Sequence, residues 1–309
     1  MLLVVVSPNL CLDRVVVVRG FTVGRVHRAE SVTALASGKG LNVARAARAL
    51  GLDVIVVGIV GDGEAARAIL QGARAHGVRL RTVRVSGQVR VCTLIIDPGQ
   101  RETVINEPGP AVSPEDVRTL QARIRSALKR ARVVVLAGSL PPGMPPSLYA
   151  DVVGQAPTLP VILDATGEAL RLGLAARPFV VKVNQLELQD VVGRTLDTVG
   201  AVAQAAEEIR RTAGGHMLIT LGAGGALWVT ADGGWHIVPP EVQRVNTIGA
   251  GDSLTAGLAA GMLRGLPMLD AVRLAVAAAA ADVTTLLPGT VDAALVEHLV
   301  SQVQIQALP

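Results

Sequence analysis

The stretch Asn246-Thr-Ile-Gly-Ala-Gly-Asp-Ser253 decides how the rest of this sequence is interpreted. Three small residues, Gly249, Ala250 and Gly251, directly precede the carboxylate of Asp252, and the apolar run over residues 254–263 predicts a helix after them. A glycine-rich turn that opens a helix leaves backbone N–H groups without acceptors. Such a helix end attracts anions, phosphate above all.

The carboxylate of Asp252 is unusual in a plain phosphate site, because like charges repel. It suits a site in which Asp252 accepts a proton from a hydroxyl while the backbone amides stabilise the charge that develops on a phosphoryl group. Helix capping is the alternative, since Asp is a common residue at helix N-termini. This stretch alone leaves both interpretations open.

The composition excludes several classes of protein. Of the 309 residues, 50% are hydrophobic and 17% are charged, which is typical of a large globular domain. Two Phe, two Trp and one Tyr argue against single-strand nucleic-acid binding, which depends on aromatic stacking. The net charge of +4 comes from arginines that are scattered along the chain, and the sequence contains no long basic run. We therefore expect no nucleic-acid partner, whereas anionic small substrates would suit a mildly positive protein.

Cysteine usage and hydropathy indicate a cytoplasmic protein without a membrane partner. Cys11 and Cys92 form no C-x-x-C pair, which fits a reducing compartment better than a disulfide or zinc framework. The apolar start of the chain is too short for a signal peptide and predicts a strand. The apolar run over residues 274–287 contains Asp282 and is too short to span a bilayer, so it predicts a buried helix.

The order of elements predicts an α/β fold. Apolar runs of strand length alternate with helical patterns, which is typical of a parallel sheet covered on both faces. The predicted strands of this sheet include residues 2–6, 54–60, 133–136, 161–163, 179–183 and 217–221. Ligands of such sheets bind at the carboxyl ends of the strands.

Two segments predict a second, smaller sheet. Residues 11–36 contain short β-rich runs, and residues 88–106 alternate in hydrophobicity around a turn at Asp97-Pro-Gly99. We interpret both segments as one discontinuous lid within a single domain that covers residues 1–309, because no linker divides the chain.

The glycine clusters fit neither common nucleotide motif. A Walker P-loop is absent from the sequence, and no G-x-G-x-x-G follows the first strand, which disfavours a dinucleotide-dependent oxidoreductase. The chain instead resembles the ribokinase-like (PfkB) family of sugar kinases from its first strand to about residue 290. Residues 246–253 are similar to the family motif D-T-x-G-A-G-D, with Asn246 in place of the first Asp, and residues 37–42 resemble G-G-K-G-x-N.

Within this family, the chain most resembles the branch that contains 1-phosphofructokinase and tagatose-6-phosphate kinase. The supporting segments are Ser7–Arg14, Ile105–Gly109, Gly138–Gly143 and Lys182–Glu187, the last with Val183 in place of a proline. The resemblance implies a ribokinase-like three-layer αβα sandwich with a mostly parallel central sheet and a small β-sheet lid. It also implies ATP-dependent phosphorylation of a hexose phosphate, in the first place fructose 1-phosphate to fructose 1,6-bisphosphate.

Roles follow for individual residues from the same resemblance. Asp252 would be the general base, and Gly249, Ala250 and Gly251 would form the anion hole for the transferring phosphoryl group. The expected substrate-binding residues are Asp13, Gly38 and Asn42 for the sugar. Ser139 would donate to the sugar phosphate, and Lys39 and Arg90 would be the cations for phosphate. The expected residues for ATP are Asn184, Thr220, Gly222 and Gly225. Glu187 would hold Mg²⁺ through water.

Several alternatives stay open at this point. Asp13 could form only a turn at a strand end, and Ser139 needs no function in a loop. The substrate could be tagatose 6-phosphate, fructose 6-phosphate, a free sugar or a nucleoside. A sugar-phosphate sensor without catalysis is a different class, which the intact Asp252 disfavours. We further expect a homodimer through the lid, because exposed sheet edges tend to pair with another chain.

Overall fold

A computed structural model describes residues 2–98 and 101–308. The strands are β1 (Leu2–Ser7), β2 (Cys11–Val17), β3 (Ser31–Ser37), β4 (Asp53–Asp62), β5 (Arg79–Gln88), β6 (Arg90–Ile96), β7 (Glu102–Ile105), β8 (Val133–Ala137), β9 (Val161–Asp164), β10 (Val180–Asn184), β11 (His216–Thr220), β12 (Ala226–Thr230), β13 (Gly233–Val238) and β14 (Gln304–Ala307). The helices are α1 (Lys39–Ala49), α2 (Gly63–Ala75), α3 (Pro114–Leu128), α4 (Leu148–Gly154), α5 (Gly167–Ala175), α6 (Gln185–Val192), α7 (Val199–Ala213), α8 (Ala250–Leu263), α9 (Met268–Asp282) and α10 (Ala293–Val300).

Ten strands form one large sheet in the order β14-β13-β12-β11-β10-β9-β8-β1-β4-β5. The strands from β5 through to β11 run parallel, and β12, β13 and β14 are antiparallel additions at one edge. Every residue of β1 is buried, as expected of an apolar strand with layers on both sides. The mostly parallel sheet predicted from the sequence is therefore confirmed.

Helices cover both faces of the large sheet. Alternate residues of β1 point into different cores: Leu3 and Val5 pack with residues of α1, α2, α8 and α9, while Val4 and Val6 pack with residues of α3, α4, α5 and α7. This is the three-layer αβα arrangement. Among the described residues, no helix has the combination of length and apolar character that a membrane span requires.

Four strands form the small sheet in the order β3-β2-β6-β7. It is built from the two segments in which the sequence predicted it, with β2 and β6 parallel and β6 and β7 antiparallel. Its predicted start at residue 88 is wrong, because Gln88 ends β5 of the large sheet. Gly99 of the predicted turn lies outside the described residues.

The structure contains two strands that the sequence patterns did not predict. Both β5 and β14 lie at the edges of the large sheet, where polar residues such as Arg79, Arg81 and Gln306 replace the continuous apolar runs of the central strands. The predicted buried helix over residues 274–287 is α9, which begins earlier and ends at Asp282. Beyond it the chain turns, and the hydroxyl of Thr285 donates to the carbonyl of Asp282 at 2.9 Å.

Small residues set the distance between α8 and α9. A Cβ added to Gly257 would lie 2.7 Å from Cα of Ala275, and one added to Gly261 would lie 2.6 Å from Cα of Ala271. The two helices therefore approach through backbone contact, which any larger residue would prevent. Because α8 begins at Ala250, this contact also fixes the helix that carries Asp252.

Substitution Gly257→Ala should destabilise the fold, because the added methyl meets backbone atoms of α9 that cannot rotate away. We expect a loss of about 1–3 kcal/mol in the free energy of unfolding, the usual range for overpacking. Gly154→Ala is the matched control, because an added Cβ there meets no atom within 4 Å. Urea denaturation of both variants measures the difference, and equal midpoints would contradict the close α8–α9 contact.

Candidate active site

One large cavity of about 1700 Å³ lies at the carboxyl ends of the parallel strands. Its walls come from the small sheet, from the loops that follow β8, β9, β10 and β11, and from the start of α8. The position agrees with the general location of ligand sites in open α/β sheets. The cavity brings together all the residues singled out from the sequence: Asp13, Gly38, Lys39, Asn42, Arg90, Ser139, Asn184, Glu187, Thr220, Gly222, Gly225, Gly249, Ala250, Gly251 and Asp252.

The turn before Asp252 requires glycine. Gly249 has φ 98°, and a Cβ on it would lie 2.7 Å from Cα of Pro288. A Cβ on Gly251 would lie 2.9 Å from Nζ of Lys182, so the missing side chain lets a lysine approach the helix start. The N-terminus of α8, with its outward N–H groups and partial positive charge, thus opens on the cavity.

Asn42 fixes the carboxylate of Asp252. Its Nδ2 donates to Oδ2 of Asp252 at 2.9 Å, while its Oδ1 accepts from Arg45 Nη2 at 2.7 Å. The guanidinium of Arg45, which can only donate, determines which end of the amide faces Asp252. Asn42 was expected to border a sugar, and the structure adds a second role in orienting the candidate base.

Burial raises the pKa of Asp252 to about 6, and the negative charge of Asp164 acts in the same direction. Lys39, Lys182 and the hydrogen bond from Asn42 oppose the rise. Asp252 is only 7% exposed. At neutral pH it is mostly ionised yet holds a proton more readily than an ordinary Asp, as a general base requires.

Asp164 is the centre of the charge network, and the sequence patterns did not single it out. It is fully buried, and it accepts from Lys39 Nζ at 2.6 Å, from Lys182 Nζ at 3.0 Å and from Thr255 Oγ1 at 3.2 Å. Burial alone would raise its pKa, but Lys182 and Lys39 hold the pKa at about 2. The sequence could have indicated Asp164 through its position at the end of β9, because every loop that carries a candidate site residue follows a strand.

Lys39 lies between two carboxylates. Besides Asp164, it faces Oε1 of Glu187 at 3.8 Å. Although burial acts against its charge, Asp164 and Glu187 raise the pKa of Lys39, so it stays protonated. This cation therefore faces Glu187, the residue expected to hold Mg²⁺.

The small sheet brings further polar groups to the cavity. Asp13 is buried and accepts from Ser37 Oγ and from Cys11 Sγ. Arg90 is held by its Nη2, which donates to Asn9 O at 2.8 Å. Asn9 Nδ2 also donates to Ser139 Oγ at 3.1 Å, which ties the loop after β8 to the same group. Burial raises the pKa of Asp13, with the Ser37 hydrogen bond opposing the rise.

Asn184 and Glu187 form a capping box at the start of α6. Asn184 Oδ1 accepts from the N–H of Glu187 at 2.8 Å, and Glu187 Oε2 accepts from the N–H of Asn184 at 2.8 Å. The pair thus has a structural role that explains the N-x-x-E pattern without any ligand. Oε1 of Glu187 is left to face Lys39 and the cavity.

The loop after β11 presents backbone to the cavity. Gly222 has φ 59°, and Gly225 has φ 84°. A Cβ on Gly225 would lie 2.1 Å from the carbonyl oxygen of Ile237, so close packing against β13 already requires this glycine. Val283 lines the cavity nearby, whereas Ala278 packs against Gly257 of α8.

Asp282 is a buried carboxyl group to which the sequence patterns assigned no role. It is 1% exposed, and within the described residues neither of its oxygens has a hydrogen-bond donor. Burial raises its pKa to about 8, and the charge of Asp252 adds to the rise. Ser253 and Arg45 act in the opposite direction without completing a hydrogen bond to it. At neutral pH the group is mostly the neutral acid.

Comparison with known proteins identifies the class to which this fold and cavity belong. The chain matches the model of the pfkB family of carbohydrate kinases over residues 1–293, and it is a member of that family. The resemblance inferred from residues 37–42 and 246–253 is thereby confirmed. The family is one of ATP-dependent phosphotransferases that act on an alcohol group.

Relatives and a solved structure that resemble this chain are named phosphofructokinases. A 1-phosphofructokinase of Vibrio cholerae is 32% identical over 307 residues, which cover 99% of this chain and 96% of the relative. A 1-phosphofructokinase of Rhodobacter capsulatus is 36% identical over 276 residues, with 88% and 87% covered. The crystal structure of phosphofructokinase-2 from Escherichia coli in complex with substrates and products superposes with a TM-score of 0.88 at 25% identity, covering 98% of this chain and 99% of that one.

The buried acid Asp282 predicts a pH-dependent stability. The folded state favours the neutral form of Asp282. The contribution of Asp282 to the free energy of unfolding is therefore complete below its ordinary pKa of 3.8, and it is lost as the pH rises towards about 8. Asp282→Asn keeps a neutral group and should not suffer this loss. We expect the free energy of unfolding of the variant, relative to that of the wild type, to increase from pH 5 to pH 8. Urea denaturation measures this difference.

The matched control is Asp190→Asn, which removes an exposed carboxyl on α6. Its unfolding free energy should run parallel to that of the wild type across the same pH range. A difference between Asp282→Asn and wild type that stays constant with pH would refute the neutral form of Asp282.

Proposed function

We propose that this chain transfers the γ-phosphoryl group of ATP to a hydroxyl of a hexose phosphate, with fructose 1-phosphate as substrate and fructose 1,6-bisphosphate as product. The observation that carries the proposal is Asp252, a buried carboxylate at the N-terminus of α8, in one cavity with Arg90 on the small sheet and Gly222 of the loop after β11. Relatives named 1-phosphofructokinase support the choice of substrate.

Proton transfer is the work of Asp252. Its Oδ2 is engaged by Asn42, whereas among the described residues Oδ1 has no donor, so Oδ1 is the atom that accepts the proton of the attacking hydroxyl. The proton moves to Oδ1 as the hydroxyl oxygen bonds to phosphorus and the bond to the leaving phosphate breaks. Phosphoryl transfer needs little further covalent chemistry from a protein.

Charge stabilisation comes from the start of α8 and from Lys39. The backbone around Gly249, Ala250 and Gly251 offers N–H groups and the positive end of the helix dipole to the transferring phosphoryl group. Lys39, fixed by Asp164 at 2.6 Å, supplies a cation whose position is set before the substrate binds. A preorganised cation needs no reorientation during the reaction.

Arg90 binds the phosphate already present on the sugar. Its Nη2 is fixed by Asn9 O, and its side chain lines the cavity. A guanidinium suits a phosphate, which it can bind in a bidentate manner. Asp13 lines the same cavity and binds the sugar hydroxyls. Ser139, which contacts Asn9 as Arg90 does, donates to the sugar phosphate.

The residues beside Lys39 fit Mg²⁺. Oε1 of Glu187 is an oxygen donor that faces the cavity, while the other oxygen is used in the capping box. One free carboxylate oxygen suits an ion that keeps most of its waters, which agrees with binding through water. When bound, Mg²⁺ would neutralise phosphate charge. Thr220, Gly222, Gly225 and Asn184 line the adjoining part of the cavity for ATP.

The lid and the cysteines support two further parts of the proposal. Val32, Val104 and Ile105 of the small sheet are exposed apolar side chains, which suits a homodimer formed through the lid. Elution as a monomer at assay concentration would count against this assembly. Both Cys11 and Cys92 are free thiols, which suits the cytoplasm.

The direct test is an ADP-release assay across fructose 1-phosphate, fructose 6-phosphate, tagatose 6-phosphate, free fructose, ribose and a nucleoside. We expect the highest kcat/KM with fructose 1-phosphate. A higher kcat/KM for another hexose phosphate would make that compound the substrate, within the same branch of the family. Turnover of none of them would favour a sugar-phosphate sensor instead.

Asp252→Asn should lower kcat by about 10²- to 10⁴-fold, because the amide keeps the shape but cannot accept the proton. ATP affinity, measured by calorimetry, should stay close to that of the wild type, since Asp252 faces the acceptor hydroxyl. Asp190→Asn serves as the surface control. Turnover of the Asp252 variant within about tenfold of the wild type would exclude general-base catalysis by this residue.

Arg90→Ala should weaken selectivity for a phosphorylated sugar. The loss of a charge-assisted hydrogen bond is worth roughly 1.5–3 kcal/mol, or about 10- to 100-fold in KM, while the weak use of the free sugar should change little. Arg14→Ala is the control, because Arg14 lies exposed on β2 of the same sheet. An unchanged ratio of kcat/KM between fructose 1-phosphate and fructose would show that Arg90 does not bind the phosphate.

A further inference from the structure

Two cysteines and an aspartate meet on the cavity face of the small sheet. Strands β2 and β6 run parallel with Asp13 opposite Cys92, and Cys11 lies two residues before Asp13 on the same face of β2. The two sulfur atoms and a carboxylate oxygen all lie within 4.8 Å of one another. All three side chains are buried. The role proposed for Asp13 in sugar binding does not account for the two thiols.

The spacing of Cys11 and Cys92 in the sequence argued against a zinc framework, but the donor set that the fold assembles suits a thiophilic divalent cation. Zn²⁺ binds Cys sulfur at about 2.3 Å and carboxylate oxygen at about 2.0–2.2 Å, so three donors this close together can reach one ion after small side-chain rotations. Three protein ligands leave a fourth position for water. Because Cys11 and Asp13 line the cavity, that position opens towards it.

Neighbouring groups orient and balance the cluster. Ser37 Oγ donates to Oδ2 of Asp13, which leaves Oδ1 facing Cys11 Sγ at 3.0 Å. Such an outer hydrogen bond fixes the orientation of a ligating carboxylate. Two thiolates and one carboxylate carry three negative charges, which a divalent ion and the nearby guanidinium of Arg90 neutralise together. Arg90 lies opposite Cys11 across β2 and β6.

Buried cysteines also occur as small apolar side chains. Val15, Leu94 and Ile96 do pack beside Cys11 and Cys92. A purely apolar role, however, does not explain a carboxylate oxygen within hydrogen-bond distance of one thiol and close to the other.

We propose that Cys11, Asp13 and Cys92 form a binding site for a thiophilic divalent cation such as Zn²⁺, and that its occupation blocks the sugar side of the cavity. Binding releases the two thiol protons to solvent and involves no change of oxidation state. The ion engages the carboxylate that would otherwise accept sugar hydroxyls. The inhibitory consequence rests on the function proposed above, whereas the binding of the ion does not.

Binding is tested first, without substrate. The full chain, reduced and freed of metal with a chelator, is titrated with Co²⁺ as a spectroscopic probe and then with Zn²⁺ in competition. We expect one ion per chain and a thiolate-to-Co²⁺ charge-transfer band in the near ultraviolet. Cys11→Ala and Cys92→Ala should each lose the band or weaken binding by more than about tenfold, since even an outer-shell change costs about 10- to 100-fold.

Thr93→Ala is the matched control, because Thr93 adjoins Cys92 in β6 on the other face of the strand and should leave binding unchanged. Circular dichroism and urea midpoints verify that the cysteine variants are folded. The absence of a thiolate band in the wild type, or equal affinity in a folded Cys92→Ala variant, would overturn the site.

Inhibition is tested second, in steady-state kinetics with buffered free Zn²⁺. We expect the KM for the phosphosugar to rise with Zn²⁺ at constant kcat, and the Cys92→Ala variant to be insensitive. If Zn²⁺ binds but the KM for the phosphosugar is unchanged, the proposal that the ion blocks the sugar side of the cavity is overturned. If no sugar is turned over at all, the proposed function fails, and the Co²⁺ titration still decides whether the metal site exists.

Discussion

Asp164 and its two lysines form the interaction on which the cavity depends. A fully buried carboxylate is strongly unfavourable unless it is paired and hydrogen-bonded. Here the partners come from three different elements: Lys39 from the start of α1, Lys182 from β10 and Thr255 from α8. The need to satisfy this one charge therefore draws those elements to the end of β9. The same lysines also limit the rise in the pKa of Asp252.

Much of the fold could be predicted because the central strands are continuous apolar runs and the motifs occupy loops after them. The edge strands β5 and β14 could not, since solvent on one side allows polar residues that hide the strand pattern. The same distinction holds for the site. Glycines at 249 and 251 are recognisable because a close approach to Pro288 and Lys182 leaves no room for a side chain.

The residues that sequence patterns missed act through contacts between distant parts of the chain. Arg45 stands within an Ala-rich helical pattern, and only the fold shows that its Nη2 reaches both Asn42 and the carbonyl of Pro288, each at 2.7 Å. Asp282 stood in a run that predicts a buried helix, but only the fold shows that, among the described residues, its carboxyl has no hydrogen-bond partner. Motifs identify the groups that face a ligand, whereas the groups that support them become visible only through packing.

The position of β1 has a consequence for the order in which the protein is made. The first 137 residues contain β1, β4, β5 and β8, which are neighbours in the sheet and can pair as they leave the ribosome. The hydrogen bonds of Asn42 to Asp252 and of Arg45 to Pro288 can form only after those partners are synthesised, more than 200 residues later. During translation, the nascent chain therefore carries a half-built sheet with unpaired polar groups until its last third emerges.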